Sequence, residues 1–246
     1  MIVHGFHAVG ARIRRHPESI TELYVDADRQ DPRMRDLLAL AELSGLRPIA
    51  VPSHRLDRLS PGRRHQGVVA IAEASLPTLD LPTMLDRLDG PARLLVLDGV
   101  TDPRNLGACL RVADGAGAQA VIAPKDHAAP LTEVAIQTAS GAAESVPYIM
   151  VTNLSRAIDA MQDRGIWIVG TDDEAESDVY EAELPDSIAW VVGAEGKGLR
   201  RLTRERCDLL VRIPMAGAVS SLNVAVACGV VLYEGLRRSR ASVSRR

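Results

Sequence analysis

The most constraining feature of this chain is a series of short, almost wholly apolar segments in its second half. They run LLVLDGV, AQAVIAP, VPYIMV, IWIVGTD, SIAWVVG and DLLVRIP, with helical stretches such as LTEVAIQTASG and NLSRAIDAMQDRG between them. Strands that are apolar on both sides are typical of a parallel sheet whose two faces are covered by helices. The sequence therefore predicts an α/β domain with a parallel sheet, whose ligands bind in the loops after the carboxyl ends of the strands.

The first part of the chain predicts a separate, smaller α/β module. The strand-like segments ELYVDA, LRPIAVP and QGVVAIAEA accompany a helical stretch, RMRDLLALAELSG. Three prolines and one short helical patch, TMLDRLDG, follow, which indicates a linker without a strand. The predicted organisation is a module at 1–74, a linker at 75–92 and the larger domain at 93–246.

Charge is distributed unevenly along this organisation. The whole chain carries a net charge of -3, which argues against a protein that coats nucleic acid non-specifically. Residues 1–72 nevertheless carry +3, residues 73–235 carry -11, and the tail 236–246 carries +5. Basic ends favour a role facing nucleic acid, although unevenness of the surface charge alone explains the same numbers equally well.

The sequence indicates neither secretion nor a metal site. It begins without the features of a signal peptide, and no apolar run reaches membrane-spanning length, so we expect a cytoplasmic protein without a membrane partner. Cys109, Cys207 and Cys228 are scattered, with no CxxC pair and no histidine at metal-ligand spacing. They predict three buried thiols and no bound metal.

The first loop that could carry chemistry leads from a strand into a helix. Asp102 is a preferred helix cap and Pro103 a preferred first residue, so both have a structural explanation. Asn105, in the first turn, and Arg111, six residues further on, are not explained by the helix start. They are candidates for function.

The second candidate loop is the glycine-rich turn VVGAEGKGL, directly after a buried strand. Its glycines follow GxxGxG, which matches neither the GxGxxG of a dinucleotide site nor a P-loop. Gly193, Gly196 and Gly198 would let the backbone approach a ligand closely, with Glu195 held at the strand end. A tight turn with a solvated glutamate is the alternative.

The third candidate loop precedes the last helix, which is apolar on nearly every side and rich in alanine and glycine. Ser220 or Ser221 is expected to cap this helix. Such a helix should be buried all round, packed against another helix and plausibly at a subunit interface. Asn223, expected inside its first turn, needs a hydrogen-bond partner for its amide.

Together these loops resemble the motifs of the SpoU/TrmH branch of the SPOUT methyltransferases. Asn105 and Arg111 match the first motif, the turn from Gly193 to Gly198 matches the GxEGxG of the second, and Ser221-Leu222-Asn223 match the helix start of the third. The HGxHAV opening, from His4 to Val9, extends the resemblance to essentially the whole chain. It implies a trefoil-knotted parallel-sheet catalytic domain, a small N-terminal RNA-binding domain and a homodimer.

The resemblance also implies an activity. Members of this branch transfer a methyl group from S-adenosylmethionine to a ribose 2′-hydroxyl, and the greatest likeness is to enzymes that act on a guanosine of large-subunit (23S) ribosomal RNA. Another RNA target, a transfer RNA or a different ribosomal nucleotide, stays open. So does a non-catalytic RNA-binding factor in ribosome assembly, although none of the residues required for catalysis is missing.

The resemblance assigns roles residue by residue. Arg111 would bind the phosphate next to the reacting ribose, Asn105 and Glu195 would orient Arg111 and the ribose, and Ser221 and Asn223 would position the motif loops. The implied cofactor-binding residues are Gly193, Ala194, Gly196, Ile213, Met215, Ala216, Ser221 and Leu222. Because aromatic residues make up only 3% of the chain, we expect phosphate contacts to dominate RNA binding, from Arg14, Arg15, Arg63 and Arg64. The acidic segment 172–186 and the basic tail receive no role from the sequence.

Overall fold

The computed structural model describes residues 1–73 and 79–243, which form two compact units. The first unit contains residues 1–78 together with 140–145, and the second contains 79–139 and 146–246. The junction predicted at residue 74 and the last two arginines of the tail lie outside the described residues. Within the described ranges, none of the helices combines the length and the apolar character that spanning a membrane requires.

The first unit is a four-stranded mixed sheet packed against helices. Its elements are β1 (Ile2–His4), α1 (Phe6–Arg15), β2 (Ile20–Asp26), α2 (Pro32–Leu43), β3 (Pro48–Val51), α3 (Ser53–Leu59) and β4 (Val68–Ala72). The strand order is β1-β4-β2-β3, with β4 antiparallel to β1 and β2, and β2 parallel to β3. The predicted strands and helix are confirmed, and β1, α1 and α3 are additional to the prediction.

The second unit is built on a wholly parallel sheet. Its elements are α4 (Leu81–Asp86), β5 (Arg93–Asp98), α5 (Pro103–Gly115), β6 (Ala120–Pro124), α6 (Glu133–Ala139), β7 (Tyr148–Val151), α8 (Leu154–Gln162), β8 (Trp167–Thr171), β9 (Ser177–Asp178), β10 (Ile188–Gly193), α9 (Arg201–Glu205), β11 (Leu209–Arg212) and α10 (Val224–Val243). The order is β7-β6-β5-β10-β8-β11-β9, and every neighbouring pair is parallel. The six predicted strands are confirmed, and the two-residue β9 lies unpredicted within the acidic segment.

Helices cover both faces of this sheet, as the apolar strands predict. On one face Leu94, Ile122 and Val191 form a buried cluster with Ile158 of α8. On the other face α10 packs against β10 and α5. The helix-to-helix packing expected for α10 is therefore confirmed within one chain.

Two sequence predictions about the second unit are wrong. The cap of α10 is Asn223, whose side chain accepts a hydrogen bond from the backbone N–H of Ala225, rather than Ser220 or Ser221. Within the single chain, Val226 and Tyr233 of this helix are about half exposed, at 52% and 51%, so burial on every side would require a second subunit. Cys109 and Cys228 are buried, but Cys207 is only half-buried, because it lies in the short connection between α9 and β11.

A short segment of the second half of the sequence folds into the first unit. It contains α7 (Ala142–Ser145), entered through Gly141 with φ 99°, and a side chain at Gly141 would come within 2.9 Å of the backbone nitrogen of Ala8. Arg12, on α1, forms a buried ion pair of 2.8 Å with Glu144, with exposed side-chain fractions of 1% and 6%. Arg12 also donates to the Ser19 hydroxyl and to the Glu73 carbonyl. Arg12, the first arginine of the basic segment RIRRH at residues 12–16, is therefore structural.

Candidate active site

The three candidate loops meet at the carboxyl edge of the large sheet, through hydrogen bonds between their polar side chains. The amide nitrogen of Asn223 donates to Asn105 Oδ1 at 3.0 Å and to Glu195 Oε1 at 3.1 Å. We call Asn105, Glu195 and Asn223 the motif cluster. Its members come from α5, from the turn after β10 and from the start of α10, so the partner that the sequence requires for Asn223 is found in the other two motifs.

The helix starts explain how Asn105 and Asn223 are held. Asp102 accepts a hydrogen bond of 2.7 Å from the backbone N–H of Arg104, with Pro103 at the first helical position, as predicted. Asn223 Oδ1 is occupied by the N–H of Ala225, and its Nδ2 donates to the two other cluster residues. The side chain of Asn223 is therefore fully used in positioning.

The glycine-rich turn presents Glu195 to the cluster. The backbone N–H of Gly198 donates to the carbonyl of Ala194 at 2.9 Å, and Gly196 and Gly198 adopt φ of 72° and 63°. A side chain at Gly193 would lie 2.1 Å from the backbone of Gly198, closer than any real contact. The turn can thus close only with glycines at these positions.

Asp98 anchors this turn from the neighbouring strand. It is fully buried at the end of β5 and accepts hydrogen bonds from the backbone N–H and the guanidinium of Arg200, just after the turn. The sequence prediction does not include this pair. A carboxylate that ends an otherwise apolar strand is a signal that would have identified it, because a buried charge requires a partner.

A cavity of about 420 Å³ lies beside the cluster. Of the predicted cofactor-binding residues, those that line it are Gly193, Ala194, Gly196, Ile213, Met215, Ser221 and Leu222, and Glu195 lines it as well. Ala216 is exposed and does not belong to its wall. A larger cavity of about 690 Å³ lies at the opposite edge of the sheet, but no motif residue lines it.

The cavity has one wall that the sequence prediction missed. This wall is formed by the end of β8 and the loop that follows it, together with α9. The lining residues are Thr171, Asp172, Asp173, Glu174 and Arg204. Arg204 pairs with Asp172 and Glu174, and its hydrogen bond to Asp172 raises the pKa of Arg204. The rule that ligands bind after strand ends points to this loop, since it follows a predicted strand.

Arg111 is not brought into the motif cluster. It is exposed on α5 and makes no hydrogen bond or ion pair with residues in 1–73 or 79–243. Six residues of helix rotate its side chain by roughly 120° from that of Asn105. Within one chain, Arg111 therefore lies on a different side of α5 from the cluster.

The four arginines predicted to bind RNA lie at opposite ends of α1. Arg14 and Arg15 are exposed at its carboxyl end, whereas the loop of Arg63 and Arg64 lies beside Gly5 at its start. Burial, followed by the charge of Arg63, lowers the pKa of His4 next to this loop. A helix of this length separates the two arginine pairs by about 15 Å.

The two parts of the sequence match two family models. Residues 92–233 match the model described as the SpoU rRNA Methylase family. Residues 2–77 match the model described as RNA 2'-O ribose methyltransferase substrate binding. The matched ranges cover both parts of the sequence that the pattern of strands and helices distinguishes.

Individual relatives are similar over nearly the whole chain. The 23S rRNA (guanosine-2'-O-)-methyltransferase RlmB of Ralstonia nicotianae is 58% identical over 234 residues, 95% of this chain and 94% of its own. The RlmB of Neisseria meningitidis serogroup B is 52% identical over 236 residues, 96% and 94% of the two chains. The crystal structure of the SpoU methyltransferase AviRb from Streptomyces viridochromogenes in complex with AdoMet has a TM-score of 0.76 at 28% identity, covering 98% of this chain and 91% of AviRb.

Proposed function

The chain belongs to the SpoU rRNA methylase family, and from this premise we propose that it methylates the ribose 2′-hydroxyl of a guanosine in 23S ribosomal RNA, with S-adenosylmethionine as methyl donor. The observation that carries the proposal is the motif cluster, in which Asn223 joins Asn105 and Glu195 beside a cavity. The choice of 23S ribosomal RNA as substrate and of guanosine as the methylated nucleoside comes from the names of the relatives. We expect a cytoplasmic enzyme, since that is where ribosomal RNA is found in bacteria.

The cavity fits S-adenosylmethionine in size and chemistry. Its volume of about 420 Å³ lies within the range of small-molecule sites. Apolar side chains of Ile213, Met215 and Leu222 line it, and the turn at Gly196 leaves backbone open to it, since a side chain there would meet nothing within 4 Å. The apolar residues would hold the adenine, and exposed backbone groups would bond the polar edges of the cofactor.

The motif cluster leaves two polar groups to meet the ribose. When bound, S-adenosylmethionine supplies a methyl group on a sulfonium, which an oxygen displaces in line. In the described part of the chain, the nitrogen of the Asn105 amide and the second carboxylate oxygen of Glu195 have no hydrogen-bond partner. One donates and the other accepts, which matches the needs of a sugar hydroxyl. Holding that hydroxyl in line supplies much of the rate.

Removal of the hydroxyl proton requires another group. The guanidinium of arginine stays protonated at neutral pH and is a poor base, so Arg111 is not assigned this role. Its guanidinium would instead bind the phosphate next to the ribose and stabilise the developing negative charge on the oxygen. The phosphate, or a water molecule that it orients, would accept the proton.

We propose that Arg111 reaches the ribose from a second copy of the chain. Within one chain it faces away from Asn105, on a side of α5 near Tyr233 of α10, whose hydroxyl lies 2.9 Å from where a side chain at Gly115 would be. Tyr233 and Val226 form an exposed apolar stripe along α10. A homodimer that covers this stripe would bury it and bring Arg111 of the partner subunit towards the motif cluster.

Mapping 2′-O-methyl groups on RNA from cells with and without this gene tests the proposed reaction. We expect one 2′-O-methylguanosine to be lost from 23S ribosomal RNA, and to return with the wild-type gene but not with the Glu195→Gln variant. A methyl group lost from transfer RNA instead would assign another substrate. No change in any RNA would contradict a methyltransferase role.

Mixing two inactive variants tests the role of Arg111 across subunits. If Arg111 serves the partner, a dimer of Arg111→Ala with Asn105→Ala contains one intact site, and a random mixture should recover about a quarter of the wild-type rate. If Arg111 acts within its own chain, both sites of that mixed dimer are defective. A mixture without activity, despite subunit exchange shown by mass spectrometry, would contradict the proposal.

A further inference from the structure

The acidic segment supplies one wall of the cofactor cavity. Asp172, Asp173 and Glu174 follow β8 and line the same space as the glycine-rich turn and Leu222. No motif explains these carboxylates, and the cluster of Asn105, Glu195 and Asn223 does not use them. These carboxylates are negatively charged and line the cavity proposed for a charged cofactor, so they can influence which cofactor species binds.

Hydrogen bonds and ion pairs hold two carboxylates of the wall, and the third carboxylate makes neither kind of contact with a described residue. The backbone N–H of Asp172 donates to the carbonyl of Val211, and its side chain accepts from the N–H of Glu174 at 2.9 Å. Arg204 pairs with both Asp172 and Glu174. Among residues 1–73 and 79–243, Asp173 has no hydrogen-bond or ion-pair partner. It is exposed and lines the cavity, and Arg204 attracts it only through space, as the last of the charges that raise the pKa of Arg204.

The charges that line the cavity do not cancel. Four carboxylates, those of Asp172, Asp173, Glu174 and Glu195, are opposed by Lys197 and Arg204, which leaves a net charge of -2. S-adenosylmethionine carries a sulfonium and an ammonium group against one carboxylate, so it is a cation at neutral pH. Its demethylated product, S-adenosylhomocysteine, has lost the sulfonium charge and is neutral overall.

We propose that Asp173 is a specificity-determining residue that favours the cationic methyl donor over the neutral product. The inference deepens the proposed function and rests on its cofactor. A carboxylate in the cavity wall attracts the cationic donor and has no net charge to attract in the product. Product would then leave more readily in exchange for fresh donor.

The size of the effect follows from Coulomb's law. For one charge pair about 7 Å apart in a partly solvated cavity, the donor should be favoured by roughly three- to tenfold. Asp172 and Glu174 contribute less, because Arg204 offsets their charge. Salt should reduce the preference, since the cavity is open to solvent.

Calorimetric titration of the full-length protein with S-adenosylmethionine and with S-adenosylhomocysteine tests the proposal. For Asp173→Asn we expect the donor to bind about three- to tenfold more weakly and the product to bind within about twofold of wild type. In the wild type, the preference should shrink between about 50 and about 300 mM salt. Glu176→Gln makes the same charge change in the same segment at an exposed residue outside the cavity, and should bind both ligands as wild type does.

Two results would overturn the proposal. Equal weakening of both ligands by Asp173→Asn would show a hydrogen bond to a group that they share, such as a sugar hydroxyl. Unchanged binding of both ligands in Asp173→Asn, or the same change in Glu176→Gln as in Asp173→Asn, would show that Asp173 does not select charge. In these cases the wild type still binds the donor, whereas a wild type that binds neither ligand would refute the proposed function itself.

Discussion

Each unit of the molecule contains a contact between side chains more than a hundred residues apart, and the two contacts differ in burial. In the first unit, Arg12 and Glu144 are 132 residues apart and almost fully buried. In the second, Asn105 and Asn223 are 118 residues apart and lie at an exposed edge of the sheet. Both contacts join segments that the sequence separates widely.

The comparison shows how the same kind of polar contact serves different purposes. The buried pair satisfies all its charges internally, with Ser19 and the Glu73 carbonyl completing the partners of Arg12. The guanidinium of Arg12 is therefore occupied by partners inside the unit, and the pair contributes to the stability of the fold. In the described residues, the exposed cluster leaves polar groups of Asn105 and Glu195 without a partner, and under the proposed function these groups meet the substrate.

Breaking the buried pair should have the largest effect on the free energy of unfolding. Glu144→Ala leaves the Arg12 charge buried without a partner, and we expect the first unit to lose about 3–5 kcal/mol. Urea unfolding followed by circular dichroism, with hydrogen exchange of the β2 and β4 amides, measures the loss. The matched control is Glu205→Ala, which breaks the exposed pair with Arg201, where side-chain exposures are 77% and 53%. A loss for Glu144→Ala no larger than that of the control would contradict the structural role.

The exposed cluster should respond in activity and not in stability. Asn223→Asp keeps the oxygen that caps α10 but turns a carboxylate oxygen towards Glu195 and Asn105, where a donor is needed. Methyl transfer should fall by at least about a hundredfold, because misalignment at a reacting centre costs that much. The unfolding free energy should change by less than about 1 kcal/mol.

A second helix cap provides the control for this prediction. Asn153→Asp makes the same substitution at the start of α8, where Asn153 accepts from the N–H of Arg156 far from the motifs. Its methylation rate should equal that of the wild type. Similar losses in both variants would mean that the charge at a helix cap, and not the cluster, is responsible.

Removal of the four arginines predicted to bind RNA should have an intermediate effect, and the property affected is RNA binding. With Arg14, Arg15, Arg63 and Arg64 changed together to alanine, we expect roughly tenfold weaker binding near physiological salt and a salt dependence that is shallower by up to about 3 in log–log slope. Filter binding of ribosomal RNA fragments over a range of salt measures both quantities.

Another set of arginines in the same unit provides the charge control. The control variant changes four exposed arginines to alanine, namely Arg33, Arg35, Arg47 and Arg58. If this variant weakens RNA binding equally, the attraction comes from the overall charge of the unit and not from the two ends of α1.

The smallest effect concerns pH. Burial lowers the pKa of His4 below its ordinary value of 6.5, so the unfolded chain binds the proton more readily than the folded one. The contribution to stability is present above about 6.5 and is lost as pH falls below it. Between about pH 7.5 and 5.5, we expect the wild-type melting temperature to fall by roughly 2 °C more than that of His4→Gln.

Differential scanning calorimetry of the two proteins checks this difference. His54→Gln, at an exposed position on α3, is the matched control and should keep the wild-type pH dependence. Parallel curves for His4→Gln and the wild type would show that His4 does not cause the loss of stability.

The sequence predicted much of the larger unit because its signals are local. The six apolar segments form strands, because a short strand that is apolar on both sides is buried only in a sheet whose two faces are covered. Asp102 capped α5 as predicted, because capping involves neighbouring residues alone. The motif residues Asn105, Glu195 and Asn223 were identified by type and spacing, and the hydrogen bonds among them confirm that they converge.

Other features escaped prediction because they depend on distant partners. Arg12 resembles its neighbours Arg14 and Arg15 in sequence, and only the position of Glu144 makes it a buried structural residue. The start of α10 lies at Asn223 and not at a serine, because Asn223 is held there by two other loops. The acidic wall of the cavity was missed for a related reason. Its position after a predicted strand was a signal, but only the structure shows that this loop lines the same cavity as the turn after β10.

The sequence by itself determined the classes of element, their order and a set of candidate residues for the chemistry, since these follow from hydrophobic pattern, capping, residue type and motif spacing. Tertiary structure alone decided which charges are buried and which polar groups remain without a partner inside the chain. The physical reason is that burial and pairing are properties of neighbours in space, and in this fold the decisive neighbours are often more than a hundred residues apart along the chain.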